Sequence, residues 1–597
     1  MPTQKKSLLT KFLFWKTKHV GHRNFVYILS IAVGLIAGLG TVILKNTTHF
    51  IQHLMETKVV SSYHHPFYFL FPLAGLTLTY LVKKYVVRQE FGHGIPSTLR
   101  AIAKKKGIMK PFQMFSALLT APLTVGFGGS VGLEGPTVST AAAISSNISR
   151  VLHTNQSTRT LLIGCAAAGA ISCIFKAPIA AIVFAIEVFS LDLTLVSLLP
   201  LLISSLSGVL LSYFFYGKDT ILPFHLVDEF TLSQVPFFII FGILSALTSI
   251  YFTKIYAYFH DFFHDIKSPI KRLLIGGTGL GIIVFFIPPL YGEGFEVINN
   301  MVTGNFQEVV TNNFMHIDIT NNWAIIALLI GLVLFKVIAT SLTFGAGGIG
   351  GIFSPSLFMG SVLGLGFARC VNTLDLFRIH LSESNFTLVG MAGVLGGVLQ
   401  APLTAVFLIA EITGGYKLFI PLMITVAICF AVTKYFLPYS VYSMALARQG
   451  DLITHDKDQA VLTLMNIENL IETKFVKVRP NMTLGELVHN AVVKSNRNIF
   501  PVISERSGRI VGIILLDDIR PIMFDQTLYD EVVARDVMQA PPEIIDLNQD
   551  RMKDIMKKFQ DSSAWNLPVV RDDKYIGFIS KSKLLTAYRR QLINFTS

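Results

Sequence analysis

Gly132-Leu133-Glu134-Gly135-Pro136, set inside an apolar run, is the stretch that decides how this chain folds. Two other segments share its make-up: Gly92-His93-Gly94-Ile95-Pro96 and Gly350-Gly351-Ile352-Phe353-Ser354-Pro355. Hydrocarbon offers no hydrogen-bond partners, so a spanning segment that breaks must turn its loose N–H groups toward protein or a water-filled cavity. Glycine lets backbone approach a ligand closely, and proline is at home in a helix's first turn. A helix opening at each motif aims free amides and a positive dipole end into the cavity, an anion site made without full positive charges. Glu134 is the one acid in the three motifs. A carboxylate placed there is itself an anion and competes with the one that passes. Desolvation favours the neutral form of a carboxylic acid, so mild acidity would unblock such a path.

Working outward, the 597 residues are 52% hydrophobic and 15% charged, with mean hydropathy +0.57. That excludes an ordinary soluble protein and predicts a polytopic α-helical membrane protein. Candidate spans are Phe25–Leu44, Phe67–Val82, Leu193–Phe215, Val235–Phe252, Leu273–Leu290, Trp323–Leu334 and Leu418–Phe436. Several fall short of the roughly 20 residues of a straight crossing, which implies tilted, partly re-entrant helices. Lys5, Lys6, Lys11, Lys16, Lys18 and Arg23 precede the first span with no acid among them, so the N-terminus is expected in the cytoplasm. A signal peptide is the rival reading, against which the apolar run is long and lacks a small-residue cleavage site. The net charge of +13 fits basic loops on an anionic leaflet and needs no nucleic acid. Cys165, Cys173, Cys370 and Cys429 lie in apolar surroundings and read as packing residues.

The membrane part repeats. Lys176-Ala177-Pro178 through Ile186-Glu187 aligns position by position with Gln400-Ala401-Pro402 through Ala410-Glu411, and upstream Gly132–Pro136 falls opposite Gly351–Pro355. Two homologous halves would then bring two helix N-termini, one with Glu134 and one with Phe353, to the repeat interface, where transporters built this way hold substrate. The sequence leaves open whether the halves are inverted. Past Ala447–Asp451 the composition turns mixed, and a β-α-β-β-α order occurs twice: Phe475–Val478, Leu484–Lys494, Phe500–Ile503, Gly508–Leu515 and Asp517–Ile519, then Ile544–Leu547, Arg551–Phe559, Leu567–Val570, Tyr575–Ser580 and Lys583–Leu585.

With Gly-x-Gly-Ile-Pro, Gly-x-Glu-Gly-Pro, Gly-x-Phe-x-Pro and a late tyrosine in that order, residues 24–448 resemble the CLC family of chloride channels and proton-coupled anion transporters, and the tail resembles a pair of CBS modules. The resemblance implies the CLC fold of two antiparallel halves and a homodimer with one pore per subunit. It also implies both termini cytoplasmic and a cytoplasmic α/β CBS-pair domain, while the absence of an organelle-targeting signal and a bacterial-like compactness point to a cell (inner) membrane. The expected organisation is a basic segment 1–23, a transmembrane domain 24–448, a linker 449–468, and CBS modules 469–527 and 533–592. By the same resemblance Glu134 is the gating glutamate, while His93, Gly94, Ile95, Pro96, Ile352, Phe353 and Tyr442 hold the anion. Tyr442 otherwise reads as an interfacial aromatic, and Tyr439 is near enough for a register error.

Two departures matter. His93 stands where most chloride-selective members carry serine; either its imidazole meets the anion and adds pH dependence, or it points away while the backbone binds. Val188 follows Glu187 where proton-coupled members place a second, relaying glutamate. Valine carries no proton, so the expectation is a passive, voltage-gated chloride channel, with proton-coupled exchange the alternative. Glu187 and Glu411 are expected to make structural hydrogen bonds. In the CBS pair, Asp518 and Ser580 each keep half of a ribose-binding pattern, since Leu515 replaces its hydroxyl and Lys583 its aspartate. An adenine nucleotide or a purely structural role both fit.

His260 and His264, at i and i+4, raise the distant alternative of an intramembrane metallohydrolase, for which no third ligand is evident. A CBS-regulated divalent-cation channel would need acidic or carbonyl-rich pore positions that the three motifs do not supply. No enzyme activity, bound metal or required cofactor is expected; chloride is the transported ion, and the bilayer and a second copy are the partners.

Overall fold

The computed structural model describes residues 19–55, 70–89, 94–191, 194–218, 230–304, 321–375, 379–448, 462, 465 and 467–596. Two units emerge, Met1–Leu452 and Ile453–Ser597. His93, most of the basic N-terminal segment and nearly all of the linker at 449–468 lie outside the described residues.

The first unit is helical. Its first half holds α1 (His22–His53), α2 (Leu70–Leu81), α3 (Gly94–Lys105), α4 (Gln113–Gly126), α5 (Glu134–Val151), α6 (Gln156–Phe175), α7 (Pro178–Phe189) and α8 (Leu195–Tyr216). Its second half holds α9 (Val235–Asp265), α10 (Pro269–Phe286), α11 (Phe295–Val302), α12 (Asn322–Gly345), α13 (Phe353–Leu374), α14 (Glu383–Leu399), α15 (Pro402–Ile412), α16 (Phe419–Phe436) and the short α17 (Met444–Arg448). Nine helices among the described residues are long and apolar enough to cross a membrane. Two of them, Gln156–Phe175 and Phe353–Leu374, both rich in small residues, are spans that the hydropathy pattern alone did not single out. Those small residues set the packing. A Cβ at Gly208 of α8 would lie 2.2 Å from the Gly169 carbonyl of α6, and one at Gly360 of α13 would lie 2.2 Å from the Gly390 carbonyl of α14. Backbone-on-backbone approach of this kind is how helices associate where lipid removes the hydrophobic drive between them. Large apolar side chains such as Leu195, Leu210 and Phe214 on α8 face outward.

The repeat extends into the backbone. Lys176 and Gln400 both end a helix in the left-handed region at φ 53°, and Ala177 and Ala401, which follow, sit at φ −121° and −127°. Leu133 and Ile352 precede α5 and α13 with φ,ψ of −88°, −11° and −90°, −2°. Between them Gly132 and Gly351 pair as an antiparallel bridge, N–H to carbonyl at 2.9 Å one way and 2.7 Å the other. Equivalent residues bonding reciprocally mark a local two-fold axis. Glu187, near the end of α7, caps the start of α15, while Glu411, near the end of α15, caps the start of α7. The two short helices therefore lie head to tail, which answers the open question: the halves are antiparallel. At about 1.5 Å per residue, the 12 residues of α7 reach about 18 Å, too short for the roughly 30 Å hydrocarbon core.

The second unit carries two small sheets. β1 (Ile499–Ile503) pairs antiparallel with β2 (Ile510–Leu515); β3 (Ile545–Asp546) runs parallel to β4 (Asn566–Arg571), which pairs antiparallel with β5 (Lys574–Ser580). The expected strand Phe475–Val478 is reduced to one bridge, Val478 to Val502. Each module has its own core, around Phe500, Val502 and Ile514 in the first and Leu567, Val569 and Ile579 in the second. Ile499, Ile513, Tyr575 and Phe578 form a third cluster that joins them. The last helix, α18 (Lys581–Thr596), runs longer than the sequence pattern suggested.

Candidate functional site

Each of the three glycine-proline motifs opens a helix, α3 at Gly94, α5 at Glu134 and α13 at Phe353. The three starts meet. A Cβ on Gly94 would be 3.5 Å from Gly135 Cα and 3.6 Å from the Gly350 carbonyl; one on Gly135 would be 2.9 Å from that same carbonyl. The approach at Gly135 leaves no room for a side chain, and at Gly94 it is the left-handed φ of +60° that favours glycine. First-turn N–H groups have no partner within their own helix, so the junction gathers unspent donors and three positive dipole ends.

Glu134 sits at this junction and is 1% exposed. Its Oε1 accepts from the Ser354 hydroxyl at the start of α13, so one carboxylate bridges the N-termini of two helices from opposite halves. Oε2 has no hydrogen-bond partner among the described residues, and it lies 2.0 Å from where a Cβ on Gly132 would stand. A negative group held by two dipole ends occupies the place where an anion would be stabilised.

Beside it lies an open cavity of about 640 Å³. Gly94, Ile95, Pro96, Ile352 and Tyr442 line it, together with Gly135 and Gly351 at the junction. Tyr442 is 5% exposed, and its hydroxyl has no hydrogen-bond partner among the described residues, whereas Tyr439 is 44% exposed. The register uncertainty therefore resolves in favour of Tyr442 as the cavity tyrosine. Phe353 does not line the cavity: its ring is buried against Phe175, centroids 5.2 Å apart. Arg100, Lys105, Lys110 and Arg272 give the cavity a cationic wall. His260 and His264 line it too, their rings nearly parallel at 6.5 Å.

The family described as voltage gated chloride channel matches residues 74–434, and the CBS domain matches 467–525 and 534–590. The chain belongs to the CLC family. Among curated relatives, a putative chloride channel protein, ClcB-like, from Ralstonia nicotianae is 29% identical over 64% of this chain and 84% of the relative. An H(+)/Cl(-) exchange transporter ClcA from Vibrio parahaemolyticus is 26% identical over 71% and 89%. Two solved structures share the fold. A slow cyanobacterial Cl-/H+ antiporter has TM-score 0.60 at 22% identity, covering 72% of this chain and 98% of that one. A eukaryotic CLC transporter has TM-score 0.59 at 18% identity, covering 94% and 97%.

As a CLC protein the chain carries anions across a membrane and is not an enzyme. The histidine pair belongs to the cavity wall of a transporter, and the metallohydrolase and cation-channel alternatives fall away. Among the described residues no three His, Cys, Asp or Glu side chains come together as metal ligands.

In this CLC chain Val188 is half-buried on α7, and its neighbour Glu187 is committed to capping α15: it accepts from Leu403 N at 3.0 Å, Thr404 N at 2.9 Å and Thr404 Oγ1 at 2.6 Å. Asp518 accepts from Leu515 N at 3.0 Å and from Gln539 Nε2 at 2.9 Å. Ser580 accepts from Lys583 N at 3.3 Å and donates to Glu472 Oε1 at 3.0 Å. Both fragments of the ribose pattern thus act as helix caps, and they stand in different modules.

Sequence reasoning missed two charged residues beside the junction. Glu293 Oε1 accepts the Leu133 N–H at 2.9 Å, and Lys336, fully buried in α12, donates to the Gly292 carbonyl at 3.1 Å. A lone lysine inside Leu332–Ile338 and an acid bracketed by Gly292 and Gly294 were the available signals.

Proposed function

We propose that this CLC protein exchanges chloride for protons, as a homodimer in a cell membrane with both termini in the cytoplasm. The observation that carries the reading is the Glu134 carboxylate lying across the two opposed helix starts, in the seat of an anion. Chloride and the carboxylate compete for the same amides. When Glu134 takes up a proton it loses its claim on them and chloride enters; when chloride leaves, the carboxylate returns and its proton is given up on the other side. Ile352 and Phe353 amides, the Tyr442 hydroxyl and the Gly94–Pro96 turn hold the ion in transit. The names of the Vibrio relatives point the same way.

Val188 argues for a passive channel, and it is the one residue that does so. Two observations reduce its weight. Glu187 is engaged as a cap, so this chain has no free acid on that stretch of α7. The cavity meanwhile reaches Gly135 and Gly351, next to Glu134, so water there can deliver protons without a relay carboxylate. For the CBS pair we infer a structural role, since Asp518 and Ser580 spend their hydrogen bonds on caps; saturable binding of ATP or AMP to the full chain in calorimetry would overturn it.

The test is to load liposomes containing the purified protein with chloride, impose an outward gradient with voltage clamped by valinomycin, and record chloride efflux and external pH together. Exchange predicts proton movement in fixed proportion to chloride. Chloride flux with no proton movement would make the protein a passive channel.

A further inference from the structure

Glu293 is held in a site whose construction nothing in the anion path explains. Gly292 and Gly294 flank it with φ of +61° and +89°, a left-handed pair that turns the chain sharply around one acid. Lys336, 0% exposed, fixes the turn by donating to the Gly292 carbonyl, and its ammonium also lies 4.7 Å from the Phe358 ring centroid. Gly292 N–H reaches the Gly128 carbonyl at 3.4 Å, tying the turn to the segment that leads into α5.

The turn delivers the carboxylate to the gate. Glu293 Oε1 takes the Leu133 N–H at 2.9 Å. Glu134 Oε2 folds back over the adjoining Gly132, 2.0 Å from where a Cβ there would stand. The Gly132–Leu133 peptide thus carries one carboxylate at each end, and the two repel each other while Lys45 of α1 and Lys336 of α12 offset the charge of Glu293. The exposures differ: Glu134 is buried, whereas Glu293 is half-buried. Glu293 is not among the residues that line the cavity.

We propose that Glu293 is a second proton-carrying carboxylate of the transport path, passing protons between Glu134 and the solution on the side away from the cavity. In the inward step the Glu293 carboxyl gives its proton to the Glu134 carboxylate, leaving Glu293 as the anion, which solvent reprotonates; the reverse step returns it. Lys336 is a positioning residue that holds the turn. This rests on Glu134 being the gate, and it supplies beside the gate the second acid that Val188 does not supply on α7.

The test compares wild type with Glu293→Gln, Glu293→Asp and Glu134→Gln in the same liposomes, with retention of the folded protein checked by size-exclusion elution. The readouts are chloride turnover, proton turnover and the pH of half-maximal chloride flux on each side. Glu293→Gln should lower proton turnover by about tenfold or more while chloride turnover falls much less, a loss typical of removing a proton carrier. It should also move the pH midpoint on the side away from the cavity to more acid values, because a missing negative charge no longer favours neutral Glu134. Glu293→Asp should restore both. Wild type without proton movement would end the exchange reading but leave the midpoint shift as the measure of Glu293. Proton turnover and midpoint both unchanged in Glu293→Gln would overturn the proposal in either case.

Discussion

Glu187 and Glu411, equivalent residues of the two repeats, each cap the helix that carries the other. Glu411 accepts from Ile179 N at 3.0 Å and Ala180 N at 2.8 Å, the counterpart of Glu187 on Leu403 and Thr404. Each carboxylate satisfies two first-turn donors that short helices in a membrane have no water to satisfy.

Replacing either acid by alanine should therefore weaken the fold and leave coupling alone. We expect Glu187→Ala to lower stability by about 1–2 kcal/mol, the usual scale for a lost N-cap, read as a lower unfolding midpoint in detergent. Its ratio of proton to chloride flux should match wild type. A changed ratio would mean that Glu187 carries protons after all.

The glycines at the junction separate gating from architecture. A Cβ on Gly132 would meet the far end of the Glu134 side chain and the Ser354 hydroxyl at 2.6 Å, groups able to swing aside. Gly132→Ala should thus expel the carboxylate, raise chloride flux near neutral pH and flatten its pH dependence. On Gly351 a Cβ would stand 2.8 Å from Gly135 N, and on Gly135 2.9 Å from the Gly350 carbonyl. Backbone cannot swing aside, so Gly351→Ala and Gly135→Ala should lose most transport while the protein still folds, a strain of roughly 1–3 kcal/mol placed at the site. Chloride efflux from liposomes distinguishes the two outcomes.

Ser580→Ala removes a cap at the start of α18 and a bond to Glu472, itself tied to β5 through Phe578 N and O at 2.9 and 2.8 Å. We expect about 1 kcal/mol of lost stability in the CBS pair, seen as an earlier unfolding transition of the full chain.

Much of this was legible beforehand, for physical reasons that apply residue by residue. Gly94, Glu134 and Phe353 open helices as expected because glycine and proline act locally: where a helix can start depends on its own few residues. The repeat was legible because Lys176–Glu187 and Gln400–Glu411 keep both composition and spacing. Its inversion was not, since direction is fixed only when Glu187 and Glu411 are seen to cap each other across more than 200 residues. Glu293 and Lys336 escaped for the same reason: an acid between glycines and a lysine in an apolar run gain meaning only beside Leu133 and Gly292. The strand at Phe475–Val478 was overestimated because Phe475 packs against Phe578 while Val476 and Val478 pack into the first module's core, so the segment does not pair along its length.

Glu134→Gln tests the gate itself. A glutamine keeps the shape, loses the charge and carries no proton, so chloride should still pass, proton movement should vanish, and the pH dependence contributed by this residue should disappear. Glu134→Gln behaving like wild type would remove it from the path.

The most direct measurement is the reversal potential of the purified wild-type protein in a planar bilayer, with chloride held constant and a pH gradient imposed. Coupled exchange predicts a reversal potential that moves with the pH gradient, since each cycle carries both ions. A reversal potential fixed at the chloride equilibrium value, whatever the pH on either side, would show a passive channel and overturn proton coupling.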